Sequence, residues 1–277
     1  PRQSKGPVDV NGNIGILGAG RMGEALLSGL LRSGAAGPDR IRATVRRPER
    51  AAELSARYGV EVSTDSAAVA EWADQVVIAV KPQTLGQLLD QIVGHIRPGE
   101  PVISVVAGIT CARFEKVLGD IPVVRVMSNV PVLVDEAMSA ISPGAFATEA
   151  DLVTAEKLLT NVGRVVRLGE QHMDAVTALA GSGPAYFFLL AEAMIDAGLL
   201  LGLSRDVSTE LIVQTMVGSA LMLRDTGRHP VELRESVTSP GGTTIAAVRV
   251  LEEQRVRAAF LNAIEAARDR AVELGSD

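Results

Sequence analysis

The stretch Ile14-Gly15-Ile16-Leu17-Gly18-Ala19-Gly20-Arg21-Met22-Gly23 decides the architecture. A short apolar run of strand length, Ile14 to Leu17, feeds straight into Gly-x-Gly-x-x-Gly. Helical periodicity follows from Glu24 to Arg32, with Leu26, Leu27, Leu30 and Leu31 on one side. Strand, glycine turn and helix in that order are the context in which the glycine spacing acquires meaning. Gly18 permits the tight turn, Gly20 has no Cβ to hold a pyrophosphate off the backbone, and Gly23 lets the helix pack close to the strand. The helix start adds unpaired N–H groups and the positive end of its dipole. Leu17, Gly18, Ala19, Gly20, Arg21, Met22 and Gly23 are therefore the expected phosphate loop of a dinucleotide site, the alternative being a plain glycine-rich turn.

Outward from that loop the pattern recurs. Strands are expected over 41–45, 60–62, 75–80, 102–106 and 123–127, and helices over 48–58, 66–72, 84–95 and 111–118. The run 75–80 is continuously apolar, as befits a strand covered on both faces. Alternation of this kind predicts an α/β fold, a doubly wound parallel sheet with helices on both faces. The pattern then loosens: two more strands, over 138–141 and 165–168, flank a helix over 149–162. Beyond Gly169 only long helices are expected, broken at Gly181-Ser182-Gly183-Pro184, at 202–204 and at 227–244. The chain thus reads as a floppy lead-in over 1–12, a dinucleotide-binding domain over 13–168 and an all-helical domain over 169–277.

Composition narrows the function classes. The 277 residues are 47% hydrophobic and 22% charged, which fits a folded globular chain. Aromatics are only 3% and the net charge is −6, so neither a stacking platform nor a cationic surface for nucleic acid is present. All four Lys, at 5, 81, 116 and 157, precede the helical domain. The single cysteine, Cys111, excludes an intrachain disulfide, and the three scattered His residues show no ligand spacing, so no metal is expected. Cys111 and Trp72 read as core. No uncharged stretch reaches the ~18–20 residues of a membrane span, and the start lacks an apolar leader. A cytoplasmic protein with no membrane partner is the expectation.

The end of the second expected strand bears on the choice of cofactor. An acidic residue there would hold a ribose 2′-hydroxyl; this chain has Thr44-Val45-Arg46-Arg47. Two guanidinium groups suit a 2′-phosphate, so NADPH is expected, with NADH possible but weaker. Arg46 and Arg47 can instead be a solvated pair, with Glu49 near enough to neutralise one. Three further loops end strands on the same edge: Ala79-Val80-Lys81-Pro82, Val105-Val106-Ala107 with Gly108, and Met127-Ser128-Asn129. Their small residues leave room for a flat ring, and Pro82 holds Lys81 extended, though Lys81 also reads as an ordinary surface lysine.

Two stretches in the helical half are unusual: 174–187, centred on Gly181-Ser182-Gly183-Pro184, and 237–247, Val237-Thr238-Ser239-Pro240-Gly241-Gly242-Thr243-Thr244-Ile245-Ala246-Ala247. The second is a Ser-Pro-Gly-Gly turn running into a helix. Such a turn offers bare N–H groups to an anion without using a cation, and a substrate carboxylate fits. A helix cap without a ligand is the other reading.

These stretches, with the glycine loop, Ala79-Val80-Lys81-Pro82 and Ala107-Gly108-Ile109-Thr110, make the chain resemble Δ1-pyrroline-5-carboxylate reductase over roughly 13–274. The 237–247 stretch is the most specific match. The resemblance implies an N-terminal Rossmann-type domain and a C-terminal helical domain through which two subunits interlock, five dimers often forming a decamer. It implies that Val237, Ser239, Gly241, Gly242, Thr243 and Thr244 bind the substrate, with Thr244 near the imine nitrogen. It implies also that Val105, Val106, Ala107 and Asn129 border the nicotinamide, and that the signature loop serves partly the partner's cofactor. Where the family often has Asn near the adenosine ribose, this chain has Ser66.

The implied reaction is hydride transfer to the cyclic imine, giving L-proline. An iminium carbon accepts hydride better than a neutral imine, yet no Lys exists beyond Lys157, and neither His172 nor His229 adjoins the signature loop. Protonation by solvent, or a relay through Thr244, is expected, with Thr244 orienting the nitrogen. A β-hydroxyacid dehydrogenase of similar plan would need a base, usually Lys, on the helix that here reads Pro184-Ala185-Tyr186-Phe187-Phe188. A reductase of another cyclic imine, with a six-membered ring or without a carboxylate, and a non-catalytic NADP-binding regulator stay open.

Overall fold

The computed structural model describes residue 6 and residues 8–275. Its sheet grows outward from β1 (Ile14–Leu17), with Ile14 opposite Ile41 of β2 (Ile41–Thr44) on one side and opposite Gln75 of β4 (Gln75–Ile78) on the other. β3 (Glu61–Ser63), β5 (Val102–Ser104), β6 (Val123–Met127), β7 (Ala137–Pro143) and β8 (Gly163–Arg167) complete the order β3-β2-β1-β4-β5-β6-β7-β8. The first six strands have the order of dinucleotide-binding sheets. Building reverses between β1 and β4, which opens a crevice beyond their carboxyl ends.

Within the buried strands, alternate side chains face opposite layers. Ile14 and Ile16 join Leu26, Leu27 and Leu30 of α1 (Arg21–Ser33), Leu54 of α2 (Pro48–Tyr58) and Leu158 of α6 (Glu149–Thr160). Leu17, Val76 and Ile78 join Val69 of α3 (Ser66–Trp72), Leu89 of α4 (Pro82–Ile92) and Phe114 of α5 (Cys111–Leu118). Local chemistry sets the ends. Pro opens α2 and α4, where its missing N–H costs nothing, and Thr148 and Asp151 cap α6 reciprocally.

Two expectations need correction. The sheet is not wholly parallel: β7 runs antiparallel to β6, with Val126 opposite Ile141. The link between them is the short turn Val130–Val134, too brief for the crossover that parallel neighbours require. The lead-in expected over 1–12 ends sooner. Residues 1–5 and 7 lie outside the described residues, but Val8 is bonded to Asn161, and Val10 is buried and donates to Ala35 O. The break expected within Gly181–Pro184 falls at a bend at Ser182, between α8 (Gly183–Leu200) and a π-turn, Thr177–Gly181, that follows α7 (Met173–Val176). The first compact unit runs through Ser182 and takes in 267–275, and Met173 and Ala178 are buried within it.

The second unit, Gly183–Ala266, is entirely helical. It holds α8, α9 (Arg205–Thr226), α10 (Pro230–Ser236), α11 (Thr243–Glu253) and most of α12 (Val256–Gly275). A Cβ on Gly198 would lie 2.3 Å from Ser208 Oγ, so α8 and α9 cross tightly there. Within 183–266 only Gly183 and Ser208 are buried. Phe187, Phe188, Leu189, Leu200 and Leu201 are all exposed. By length and composition alone the helical run Glu170–Leu200, which includes Asp174 and Glu192, is apolar enough to cross a membrane.

Candidate active site

The phosphate loop forms at the carboxyl end of β1. Gly18 has φ +98°, and its N–H donates to both Thr44 O and Thr44 Oγ1 at 3.2 Å, while Ala19 N–H donates to Thr44 O at 2.7 Å. A Cβ on Gly23 would sit 2.3 Å from Gly18 O, so the helix rests directly on the turn. Around Gly20 the opposite holds: a Cβ there would meet nothing within 4 Å, and no side chain caps α1. The loop is therefore tight beneath and open above, as a pyrophosphate cradle must be. Leu17 and Ala19 are buried below the loop, whereas Gly20 and Arg21 reach the surface and Met22 is half-buried. Thr44 is buried with its hydroxyl accepting from the loop, so it shapes the cradle.

Charge beside β2 is sorted into paired and unpaired arginines. Glu24 of α1 accepts from Arg50, Arg57 and Tyr58 of α2, and Arg50 also pairs with Glu53. Those hydrogen bonds hold the Glu53 carboxyl below its usual range; burial and Glu24 push the Tyr58 hydroxyl up. Arg46 and Arg47 are exposed, and neither forms an ion pair among the described residues. Glu49, near enough in sequence to neutralise one of them, pairs with neither among the described residues.

The remaining rim follows the adjacent strands. Ala79 N–H donates to Leu17 O, and Val80 presses on Gly18. Lys81 is exposed at the start of α4, with Pro82 behind it. Val105 N–H donates to Ile78 O, and Ala107 is exposed. Val106, expected at the rim, is instead buried among α5 and its neighbours. Asn129 is buried too: its Nδ2 donates to Ala180 O at 3.1 Å and its Oδ1 accepts from Met138 N–H at 2.9 Å. Both ends of that amide are engaged by protein atoms. The signal missed in the sequence was Pro184, four residues after Ala180.

Glu170, also missed, accepts from Cys111 N–H at 2.8 Å and Arg125 Nη1 at 3.1 Å, tying the chain after β8 to α5 and β6. Burial pushes the Cys111 thiol up to about 12, with Glu170 adding to the effect. Among the described residues no group of three or more His, Cys, Asp and Glu side chains is placed to hold a metal.

In the second unit, Ser239 to Gly242 form a turn. Gly242 N–H donates to Ser239 O at 3.1 Å, Pro240 is second, and Gly241 third with φ +70°. That is a type II turn, which requires a positive φ at its third residue. Ser239 folds over Gly242, and Gly242 opens α11 without a side-chain cap. Thr243 is exposed and Thr244 half-buried in the first turn of α11, while Val237 is exposed before it. Uncapped amides beside a hydroxyl and free of cations can take a carboxylate. His229 lies elsewhere in its roles: its Nδ1 accepts from Val231 N–H and caps α10.

Comparison with known proteins gives a consistent match. Residues 170–274 match a family described as pyrroline-5-carboxylate reductase dimerisation, and residues 13–108 one described as NADP oxidoreductase, coenzyme F420-dependent. The pyrroline-5-carboxylate reductase of Corynebacterium melassecola is 43% identical over 266 residues, covering 95% of this chain and 98% of its own. A pyrroline-5-carboxylate reductase from Coxiella burnetii is similar in structure, with TM-score 0.90 at 35% identity over 95% of this chain and 98% of its own. The pyrroline carboxylate reductase of Plasmodium falciparum, solved with NADP bound, has TM-score 0.86 at 28% identity over 96% and 99%.

Proposed function

The chain belongs to the pyrroline-5-carboxylate reductase family, and on that premise we propose that it reduces the C=N bond of Δ1-pyrroline-5-carboxylate to L-proline with NADPH. The observation that carries this reading is 43% identity to a reductase of that name across 98% of its length. The residues present suit the cofactor, since the space above Gly20 is clear and α1 is uncapped.

Bound NADPH supplies the hydride. The protein's own task is placement. Arg46 and Arg47 receive the 2′-phosphate, which makes NADH the weaker reductant. Amides of Gly20, Arg21 and Met22 take the pyrophosphate. Ala79, Val80, Lys81, Pro82, Val105 and Ala107 form the wall beside the ring. The turn Ser239–Thr244 grips the substrate carboxylate through its amides, with Val237, Gly241, Gly242 and Thr243 shaping it. The Thr244 hydroxyl orients the imine nitrogen. A hydroxyl is a poor acid alone, so the proton arrives from solvent, directly or relayed through Thr244. Catalysis rests on holding acceptor carbon and hydride donor at ~3–3.5 Å.

The apolar surface of α8 supports a homodimer in which the signature loop of one subunit serves partly its partner's cofactor. In keeping with the family we take five such dimers as the assembly, residues 13–168 as the cofactor domain and 169–277 as the substrate and dimerisation domain. The site of action is cytoplasmic, with the helical run Glu170–Leu200 facing a second subunit and not a membrane.

The test is loss of reduced nicotinamide absorbance with pyrroline-5-carboxylate, a six-membered ring analogue and an imine lacking the carboxylate. Turnover is expected with the first above both others. Preference for the second or third would make the enzyme another imine reductase. NADPH binding without turnover would make the protein a regulator.

A further inference from the structure

The helical run through Thr177–Gly181 and Pro184 contains a carbonyl that lacks the donor an α-helix would give it. In an α-helix the C=O of Ala180 accepts from the N–H of residue 184, and residue 184 is proline, which has none. A proline ring also crowds the carbonyl four residues before it. The backbone responds with the π-turn, closed by Ser182 N–H donating to Thr177 O at 2.8 Å. Turns of this kind inside helices cluster at functional sites. The carbonyl of Ala180 then finds Asn129 Nδ2 at 3.1 Å. The same amide accepts from Met138 N–H at 2.9 Å, and these two partners fix which end of it is which. A second contact acts beside the first: a Cβ on Gly181 would lie 2.3 Å from Met127 Cε, so the turn is pressed onto the last residue of β6. The π-turn is therefore fastened to the carboxyl edge of the sheet, the edge that carries the cofactor loops.

We propose that Asn129 is a positioning residue that acts through the Ala180 carbonyl, replacing the donor that Pro184 lacks, and that it does not itself bind the dinucleotide. The inference rests on the reductase reading for its effect on turnover. Its structural half stands alone, because the bond belongs to the protein without ligands.

The experiment combines Asn129→Ala, Asn129→Asp, Pro184→Ala and the Asn129→Ala/Pro184→Ala pair. Hydrogen exchange at the Ser182 amide is followed in the apoenzyme, NADPH affinity by fluorescence, and kcat and KM with pyrroline-5-carboxylate. Asn129→Ala is expected to speed Ser182 exchange and lower kcat, each by about tenfold, with NADPH affinity within about twofold of wild type. Pro184→Ala returns a backbone donor, so in that background the same loss shrinks to less than about threefold. Asn129→Asp keeps the acceptor for Met138 N–H and loses the donor. Its deficit shrinks as pH falls and the acid regains a proton to donate, and this variant decides the matter if the alanine variant fails to fold. Unchanged Ser182 exchange, a tenfold loss of NADPH affinity, or a kcat loss undiminished in the Pro184→Ala background overturns the proposal. An inert wild type would overturn the reductase reading, while the exchange comparison would still decide this one.

Discussion

Arg46 and Arg47 are available at the end of β2 because Glu24 and Glu53 engage the other arginines nearby. Charge-assisted bonds to a phosphate are worth about 1.5–3 kcal/mol each, so losing them is felt as tenfold effects. The double variant Arg46→Ala/Arg47→Ala should raise the KM for NADPH by about tenfold or more and that for NADH far less; equal loss would show that these side chains do not read the 2′-phosphate. Thr244→Ala should lower kcat by about tenfold with NADPH affinity unaltered, and an unaltered rate would remove Thr244 from the mechanism. Cys111 gives a pH signature. Burial raises its thiol from 9.0 to about 12, so above 9 the unfolded chain releases a proton that the folded chain keeps. Its contribution to stability is full below 9 and is lost as pH rises toward about 12. Urea midpoints should fall across that window in wild type and less in Cys111→Ala; parallel slopes would refute the effect. Types and spacing made these residues legible as candidates. The bonds of Asn129 and Thr44 were not legible, because a side chain's partner comes from a distant segment: Ala180 for one, Gly18 for the other.

The phosphate loop shows how one element distributes different demands over like residues. Gly20 and Gly23 differ only in what a methyl group would meet: nothing within 4 Å at the first, Gly18 O at 2.3 Å at the second. Gly20→Ala should therefore melt as wild type does and bind NADPH at least about tenfold more weakly, since the methyl fills the phosphate's space. Gly23→Ala should cost about 1–3 kcal/mol of stability, because backbone must move. Calorimetry and a binding titration separate the two; loss of stability in both, or of affinity in neither, would contradict the assignment. Most elements could be read in advance, with ends shifted by a few residues, because burial on both faces leaves an unmistakable apolar run in each central strand. The direction of β7 could not be read from its apolar pattern, which is the same whichever way the strand runs. The link of only a turn, Val130–Val134, held the information.

At the scale of the molecule, the helical unit has too little interior to stand alone. Leu200 and Leu201 are 90% and 83% exposed, and Phe187 and Phe188 more than half. Large contiguous apolar surface of this kind marks association. Light scattering of the full chain should therefore give a dimer or a multiple of it, and a monomer at micromolar concentration would defeat the expectation. Fold class, the position of the glycine loop and the Ser-Pro-Gly-Gly turn were all set by local sequence, because each depends on backbone freedom, periodicity and residue type within a few neighbours. What tertiary structure alone decided was which polar groups are already satisfied. It turned Thr44 and Asn129 into supports for the site, left Arg46 and Arg47 without an ion pair among the described residues, and joined the π-turn to β6. The physical reason is that a hydrogen bond is set by distance in space, and separations of 26 and 51 residues along the chain leave no periodicity by which to see it.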